Sequence, residues 1–330
     1  MPLALVALLV LAPKQRSIVD IEIAPNDQWM AVTTASDNIY IYSFDGKLLE
    51  TLHHRKGSAL IDVEISDDGS LLACSNADKT TTPAPVWSTK TWKEVTRFGL
   101  YYSKTKCDPP SGIDFAAKGK YIIGCTTFSH QLVCWDARTG EAIYVQRKKK
   151  SGTMYGFTLN PHGTLVAYRE GGTNVVWLTD FENPKTIAEW GDSIPVDASK
   201  MKRSKFSHDM KRYLVVSEPF ATSSQFDIFQ PSHGKAVRSA HAIVKNFANR
   251  DITWSYDDKL IWAGGLEGQI ICVDPESGHL IKHWKGNQGD PIHGMEALHH
   301  SHRLVTGGKD VDLWDGDTGK LIRTIALPKQ

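Results

Sequence analysis

Residues 295–325 read MEALHHSHRLVTGGKDVDLWDGDTGKLIRTI. Met295 and Ala297 are apolar positions two apart, Leu304-Val305-Thr306-Gly307-Gly308 forms a second run, and a third run ends in the bulky Trp314. After Thr318-Gly319 a fourth run extends from Leu321 to Ala326. Apolar residues at a spacing of two line one side of an extended chain, because successive Cβ atoms of a strand alternate. Gly, Asn and Asp between the runs tolerate the tight or left-handed backbone that a hairpin needs. The stretch therefore predicts four short strands joined by turns.

The same order recurs upstream. First-run pairs are Ile21/Ile23, Val63/Ile65, Ile113/Phe115, Phe157/Leu159, Ser204/Phe206 and Ile252/Trp254. Third runs end in Tyr42, Trp87, Trp135, Trp177, Phe229 and Val273. Asp67-Asp68-Gly69, Asn160-Pro161-His162-Gly163 and Ser255-Tyr256-Asp257-Asp258 follow first runs, and Thr139-Gly140 and Ser277-Gly278 precede fourth runs. Seven units result, near 16–52, 58–98, 110–146, 151–190, 199–238, 246–284 and 290–326. A period of about 45 residues suits four short strands with their turns. Trp135-Asp136 and Trp314-Asp315, each followed by a Thr-Gly turn, together with Leu304–Gly308, resemble WD40-repeat units, and the resemblance covers Arg16 to the C-terminus. The repeats are degenerate: Gly-His before the first run is missing from every unit, and two units keep the Trp-Asp pair. The resemblance implies an all-β fold, a seven-bladed β-propeller of four-stranded antiparallel blades, and a rigid protein-interaction scaffold without catalysis of its own. It does not carry over the buried His/Asp hydrogen-bond network of well-formed members.

A hydrophobic content of 41% with 23% charged residues suits a chain that buries a core and argues against disorder. No Pro/Gly/Ser-rich linker interrupts the repeats, so residues 16–330 are read as one propeller following an apolar N-terminal segment, residues 1–15. The run Met1–Ala12 is shorter than the roughly 20 residues a bilayer-spanning helix takes. It fits a cleaved export signal, an added strand or packed tail, or a short anchor. The protein is exported under the first reading and cytoplasmic otherwise. Cys74 and Cys125 share one repeat position and Cys134 and Cys272 another, as small buried fillers do, with a Cys125–Cys134 bridge as the alternative. Cys107, in a loop, is expected to be exposed.

Charge becomes informative once loops are assigned to the two faces of such a ring. Loops between units and second-to-third turns carry a surplus of about six positive charges, and the opposite turns about seven negative ones, in a chain of formal charge +1. Part of the acidic side is explained by Asp capping turns. The basic side is densest at Arg147-Lys148-Lys149-Lys150, with Arg55 and Lys56 in another loop and Tyr101, Tyr102, Lys104 and Lys106 in a third. These residues form the candidate partner site, suited to an acidic or phosphorylated protein segment. A solvated loop is the competing explanation. Near-neutral overall charge and the lack of a recognised motif disfavour nucleic acid. The chain is expected to be a monomer within a larger complex.

Other chemistry is thin. His299, His300 and His302 fall in a first-to-second turn, as His162 and His208 do, and are read as turn residues rather than metal ligands; no catalytic residue, cofactor or metal is assigned. No Walker loop or G-x-S-x-G elbow occurs. Cys272-Val273-Asp274 through Lys282-His283-Trp284 loosely resembles the tryptophan-docked repeat of quinoprotein dehydrogenase propellers, which implies as the alternative an enzyme or cofactor carrier working in the channel. The first runs, which would line that channel, are read as lacking a polar constellation, with Lys202, Arg203 and Lys205 their one dense group of charges. Units two and five depart from the pattern at Lys79–Pro85 and Glu218–Gln225, where enlarged turns are expected on the basic face.

Overall fold

The computed structural model describes residues 17–54, 60–76, 82–103, 106–129, 131–146, 154–159, 166–170, 177–179, 187–189, 201–220, 222–230, 237–286 and 289–328, with the strands between 154 and 189 described by their backbone. The first unit forms the antiparallel sheet β1 (Ile18–Ile23), β2 (Trp29–Thr34), β3 (Asn38–Ser43) and β4 (Leu48–His53). The second forms β5 (Leu60–Ile65), β6 (Leu71–Asn76), β7 (Ala84–Ser88) and β8 (Glu94–Phe98). A two-stranded hairpin follows, β9 (Leu100–Ser103) and β10 (Lys106–Asp108). The third sheet is β11 (Pro110–Ala116), β12 (Tyr121–Thr126), β13 (Leu132–Asp136) and β14 (Ala142–Gln146). In the fourth unit β15 (Met154–Leu159) pairs with β16 (Val166–Glu170), and β17 (Trp177–Thr179) with β18 (Ile187–Glu189). The fifth comprises β19 (Met201–Phe206), β20 (Tyr213–Phe220), β21 (Ser223–Gln230) and β22 (Val237–Lys245). The sixth comprises β23 (Asn249–Trp254), β24 (Ile261–Gly265), β25 (Gln269–Val273) and β26 (Leu280–Lys285), and the seventh β27 (Gly294–Ala297), β28 (Arg303–Gly307), β29 (Val311–Asp315) and β30 (Lys320–Ile325).

Each first strand packs beside the next: β1 on β5, β5 on β11, β11 on β15, β15 on β19, β19 on β23, β23 on β27, and β27 on β1. The ring therefore closes, and the chain is a seven-bladed β-propeller. Closure resolves the edge problem of each isolated sheet on the inner side, because every inner strand has a neighbouring blade. The apolar alternation supplies the layers between blades. Ile21, Ile23, Val305 and Leu313 pack together where blade 7 meets blade 1, and Ala31, Ile41, Val63, Leu72 and Trp87 where blade 1 meets blade 2.

Two irregularities recur with the repeat. The first strands slip by one residue before Asp20, Asp62, Gly112, Phe157, Arg203 and Asp251. The fourth strands β4, β8, β14, β22, β26 and β30 each carry one extra residue, a bulge, opposite Tyr42, Trp87, Trp135, Phe229, Val273 and Trp314, the positions that end the third sequence runs. A bulge re-aims the following side chains and adds twist, which a fanned ring of sheets requires. The turn glycines have a second use. Gly140 (φ +74°) and Gly278 (φ +75°) sit so close to the preceding blade that an added Cβ would lie 2.1 Å from the Arg97 carbonyl oxygen and 2.6 Å from that of His241.

Three expectations are corrected. The segment 99–109 is a hairpin rather than an open loop, and Cys107 within it is buried, its Sγ turned onto Gly99. Asp108, also buried, accepts from the N–H groups of Phe128 and Ser129 at 2.8 Å each, which fastens the hairpin to the β12–β13 turn. In unit five the expected enlarged turn is an extended hairpin of two eight-residue strands. Pro219 lies in the register irregularity between Ser217 and Phe220, where no ladder donor is required of it. In unit two, β7 pairs with β6 from Val86 onward, so Pro85 stays outside that ladder. All five cysteines are thiols; Cys134 pairs across from Ile123 and Cys125 from Leu132, a register that separates the two.

Candidate functional site

The alternation that buries Ile21 and Ile23 turns Asp20 and Glu22 to the opposite side of β1, into the axis of the ring. β5 repeats this with Asp62 and Glu64, and β11 with Asp114. Across the axis stand Arg203 and Lys205 of β19, Asp251 of β23 and Glu296 of β27. Together they line a cavity of about 320 Å³. The first strands thus do carry a polar constellation, and it is mainly acidic; the sequence expectation of none is corrected. Its signal was the Asp-x-Glu that brackets Ile21 and Val63, legible once seven polar strand faces are pointed at one axis.

Three of these carboxylates hold neighbouring blades. Asp20 Oδ2 accepts from the Val63 N–H at 2.9 Å, Asp62 Oδ2 from Ile113 at 2.9 Å, and Asp251 Oδ2 from Met295 at 2.8 Å. The equivalent residue of β27 is Gly294, whose added Cβ would lie 3.0 Å from the Ile21 amide nitrogen, so the closing contact between blades 7 and 1 is made by bare backbone. Lys205 Nζ pairs with Glu296, and Arg203 Nε lies 3.6 Å from Asp251 Oδ1. Burial alone would lower the Lys205 ammonium; the Glu296 carboxylate paired with it outweighs that and holds the group above its ordinary range. Burial pushes Asp251 up to about 6 despite the nearby Arg203.

On the side of the first-to-second turns, carboxylates again reach between blades. Asp258 (φ +58°), buried, accepts from the N–H groups of His208 at 2.8 Å and Asp209 at 2.7 Å. Asp27 (φ +53°) does the same for His299 and His300, at 2.9 Å each. Both imidazoles then turn to backbone oxygens, His299 to Ile23 and His300 to Pro25, at 3.1 Å each. His302 Nδ1 lies 2.8 Å from Asp317 Oδ1 and its Nε2 3.0 Å from Asp257 Oδ1. Burial lowers this imidazole, but the two carboxylates raise it further, above its ordinary value. Among the described residues no group of three or more His, Cys, Asp or Glu is disposed to hold a metal ion.

Of the basic-face candidates, Tyr101 is exposed on β9. Tyr102 belongs to β9 and Lys106 to β10. Arg55, Lys56, Lys104 and Arg147, Lys148, Lys149 and Lys150 lie outside the described residues, as does Met1–Ala12. Trp284, which suggested a quinoprotein, stands on the outer strand β26, three strands from the channel; it packs against Trp314 (centroids 6.5 Å apart) and Gly319 of blade 7. No helix among the described residues is long and apolar enough to cross a membrane.

Comparison with known proteins agrees with the ring. No family model matches the chain. The β-propeller domain of Cps50 (Swd1) from Myceliophteria thermophila superposes with a TM-score of 0.71, covering 92% of this chain and 97% of that one at 9% identity, a likeness of fold. Eukaryotic translation initiation factor 3 subunit I of Lodderomyces elongisporus is 26% identical over 172 residues, 49% of this chain and 46% of that protein. The same subunit of Botryotinia fuckeliana is 26% identical over 167 residues. The matched part spans about half the length of these curated relatives. Ring, repeat and relatives define a propeller built from repeated four-stranded units. The fold is that of a seven-bladed β-propeller, and its degenerate repeats, like the low-identity relatives, support a propeller of the WD40-repeat type.

Proposed function

We propose that the chain is a non-catalytic docking subunit of a multiprotein assembly, with the basic loop face receiving an acidic or phosphorylated segment of a partner. The carrying observation is the closed ring, which presents many loops on a stiff scaffold. Support comes from similarity to proteins named as a subunit of a translation initiation factor. Asp20, Asp62 and Asp251 bond to the strand backbones of neighbouring blades and Glu296 pairs with Lys205, which is the work of a scaffold holding itself together. The loop sequences add the partner chemistry: cations in tight succession at Arg147–Lys150, with aromatic surface at Tyr101. Such a face speeds encounter with an acidic partner and discriminates by charge.

The test replaces Arg147, Lys148, Lys149 and Lys150 with Gln and quantifies the partners that co-purify from native cells at low and high salt. The expected result is loss of the salt-sensitive partners by about tenfold or more, since screening acts within a Debye length of about 10 Å at 0.1 M salt. Unchanged recovery at both salt concentrations overturns the basic-face assignment.

A further inference from the structure

Charge is distributed unevenly around the channel wall. On one side Arg203 is engaged by Asp251 of the next blade and Lys205 by Glu296 of the next but one, and Lys205 also partly offsets the acidic charge at Glu22, Asp62 and Asp114. On the other, Asp20 and Glu22 of β1, Asp62 and Glu64 of β5 and Asp114 of β11 face one another, with Asp67 of the β5–β6 turn also acting on Asp114. The strand next to β11 is β15, whose sequence places Gly156 and Thr158 at the same register, so no charge from the fourth blade's inner strand intervenes there. His293, which precedes β27, lies toward Arg203 and Arg250, and burial and those cations keep its imidazole below the ordinary value. Five carboxyl groups are therefore crowded where three blades meet.

The same groups close the blades. The Asp20 and Asp62 carboxyls accept the backbone N–H groups of Val63 and Ile113, and both line the same channel wall. A neutral carboxyl can accept an N–H through its carbonyl oxygen as an ionised one does. Protonation thus retains the latches and removes the repulsion.

We propose that blades 1 to 3 are held by a proton-loaded belt: the channel carboxyls of Asp20, Glu22, Glu64 and Asp114 are largely uncharged in the tightly closed ring, and their ionisation at rising pH loosens the inner strands. Loosening these strands alters the footing of the loops on which partners would dock. Burial, and then the neighbouring Asp62 and Asp67 charges, push Asp114 up to about 8. Burial followed by the mutual repulsion of Asp114, Glu22, Asp62 and Asp20 raises Glu64 well above the carboxylate range. Glu22 and Asp20 are raised for the same two reasons, Glu22 facing Glu296 and Asp20 facing Asp62. In the unfolded chain such groups titrate at about pH 4. The folded ring therefore binds more protons across this interval, and the stability it draws from them is complete below about pH 4 and is lost as the pH climbs through the raised values.

The test follows the thermal midpoint of the full chain at about pH 5, 6.5 and 8. Wild type is compared with Glu64→Gln/Asp114→Asn, Asp114→Asn alone, and Glu141→Gln, an exposed charge beside β14 that serves as control. The expected wild-type midpoint falls with rising pH. In the double variant the fall shrinks by more than half and the midpoint at the highest pH exceeds that of wild type, while Glu141→Gln follows wild type. Hydrogen exchange of segments 60–65 and 110–116, corrected for the intrinsic pH effect, is expected to accelerate with pH in wild type and much less in the double variant. An unchanged slope in the double variant, or equal flattening by Glu141→Gln, overturns the proposal. If the double variant gives no cooperative transition, Asp114→Asn decides by the same criterion.

Discussion

Inner and outer strands of these blades are built from the same alternating grammar and end with opposite surfaces. β1 and β5 put Asp20, Glu22, Asp62 and Glu64 at the centre of the ring. β4, β26 and β30 leave Leu48, Leu49, Leu280, Ile281, Leu321 and Ile322 exposed at its circumference, each at 40–50%. In a globular packing the expectation would be reversed. The difference teaches that in a propeller the apolar layer lies between blades, and neither the axis nor the rim is the core. Side chains on an inner strand that miss the inter-blade layer meet the channel, and those on an outer strand meet solvent.

Perturbing the inter-blade layer is expected to have the largest effect. Trp135, fully buried on β13 opposite the bulge of β14 and edge-on to Phe98 at 5.2 Å, should cost about 3–5 kcal/mol of unfolding free energy when replaced by Ala. Urea denaturation with an unchanged m-value measures this. A cost below about 1 kcal/mol would mean that the layer between blades 2 and 3 is not where the stability lies. Next comes a polar link across blades. Asp258→Ala strands the N–H groups of His208 and Asp209 and leaves a non-glycine at φ +58°, for a loss of about 2 kcal/mol. Asp258→Asn, which keeps an acceptor and tolerates that backbone, should recover most of it. The smallest effect belongs to the rim: Leu49→Ser and Ile322→Ser should each stay within about 0.5 kcal/mol in the isolated chain. A larger loss in either would place the rim inside a packed layer and break the comparison.

The repeat itself was legible because spacing two is a property of the local chain: Ile21/Ile23 and Val63/Ile65 announce strands whatever surrounds them. The bulky third-run residues were legible for the same reason, although the bulges of the fourth strands opposite them were not, since a bulge is defined by the pairing of two strands. The channel was half legible. Asp20-Ile21-Glu22-Ile23 shows two faces, yet the acidic one gains meaning when Asp62, Glu64 and Asp114 arrive beside it from residues more than forty positions away. The hairpin at 100–108 had no strong turn residue to mark it, and its burial of Cys107 depends on Gly99 and on the Asp108 bonds to a turn some twenty residues on.

By itself, then, the sequence determined strands, turns, their number and their repeat, because these depend on dihedral preference and on alternation along one chain. Tertiary structure alone decided which polar faces converge, which carboxyls crowd one another and which glycines admit a neighbouring backbone. Those outcomes depend on distances between residues remote in sequence, and electrostatic repulsion, burial and steric contact exist only once the ring has closed.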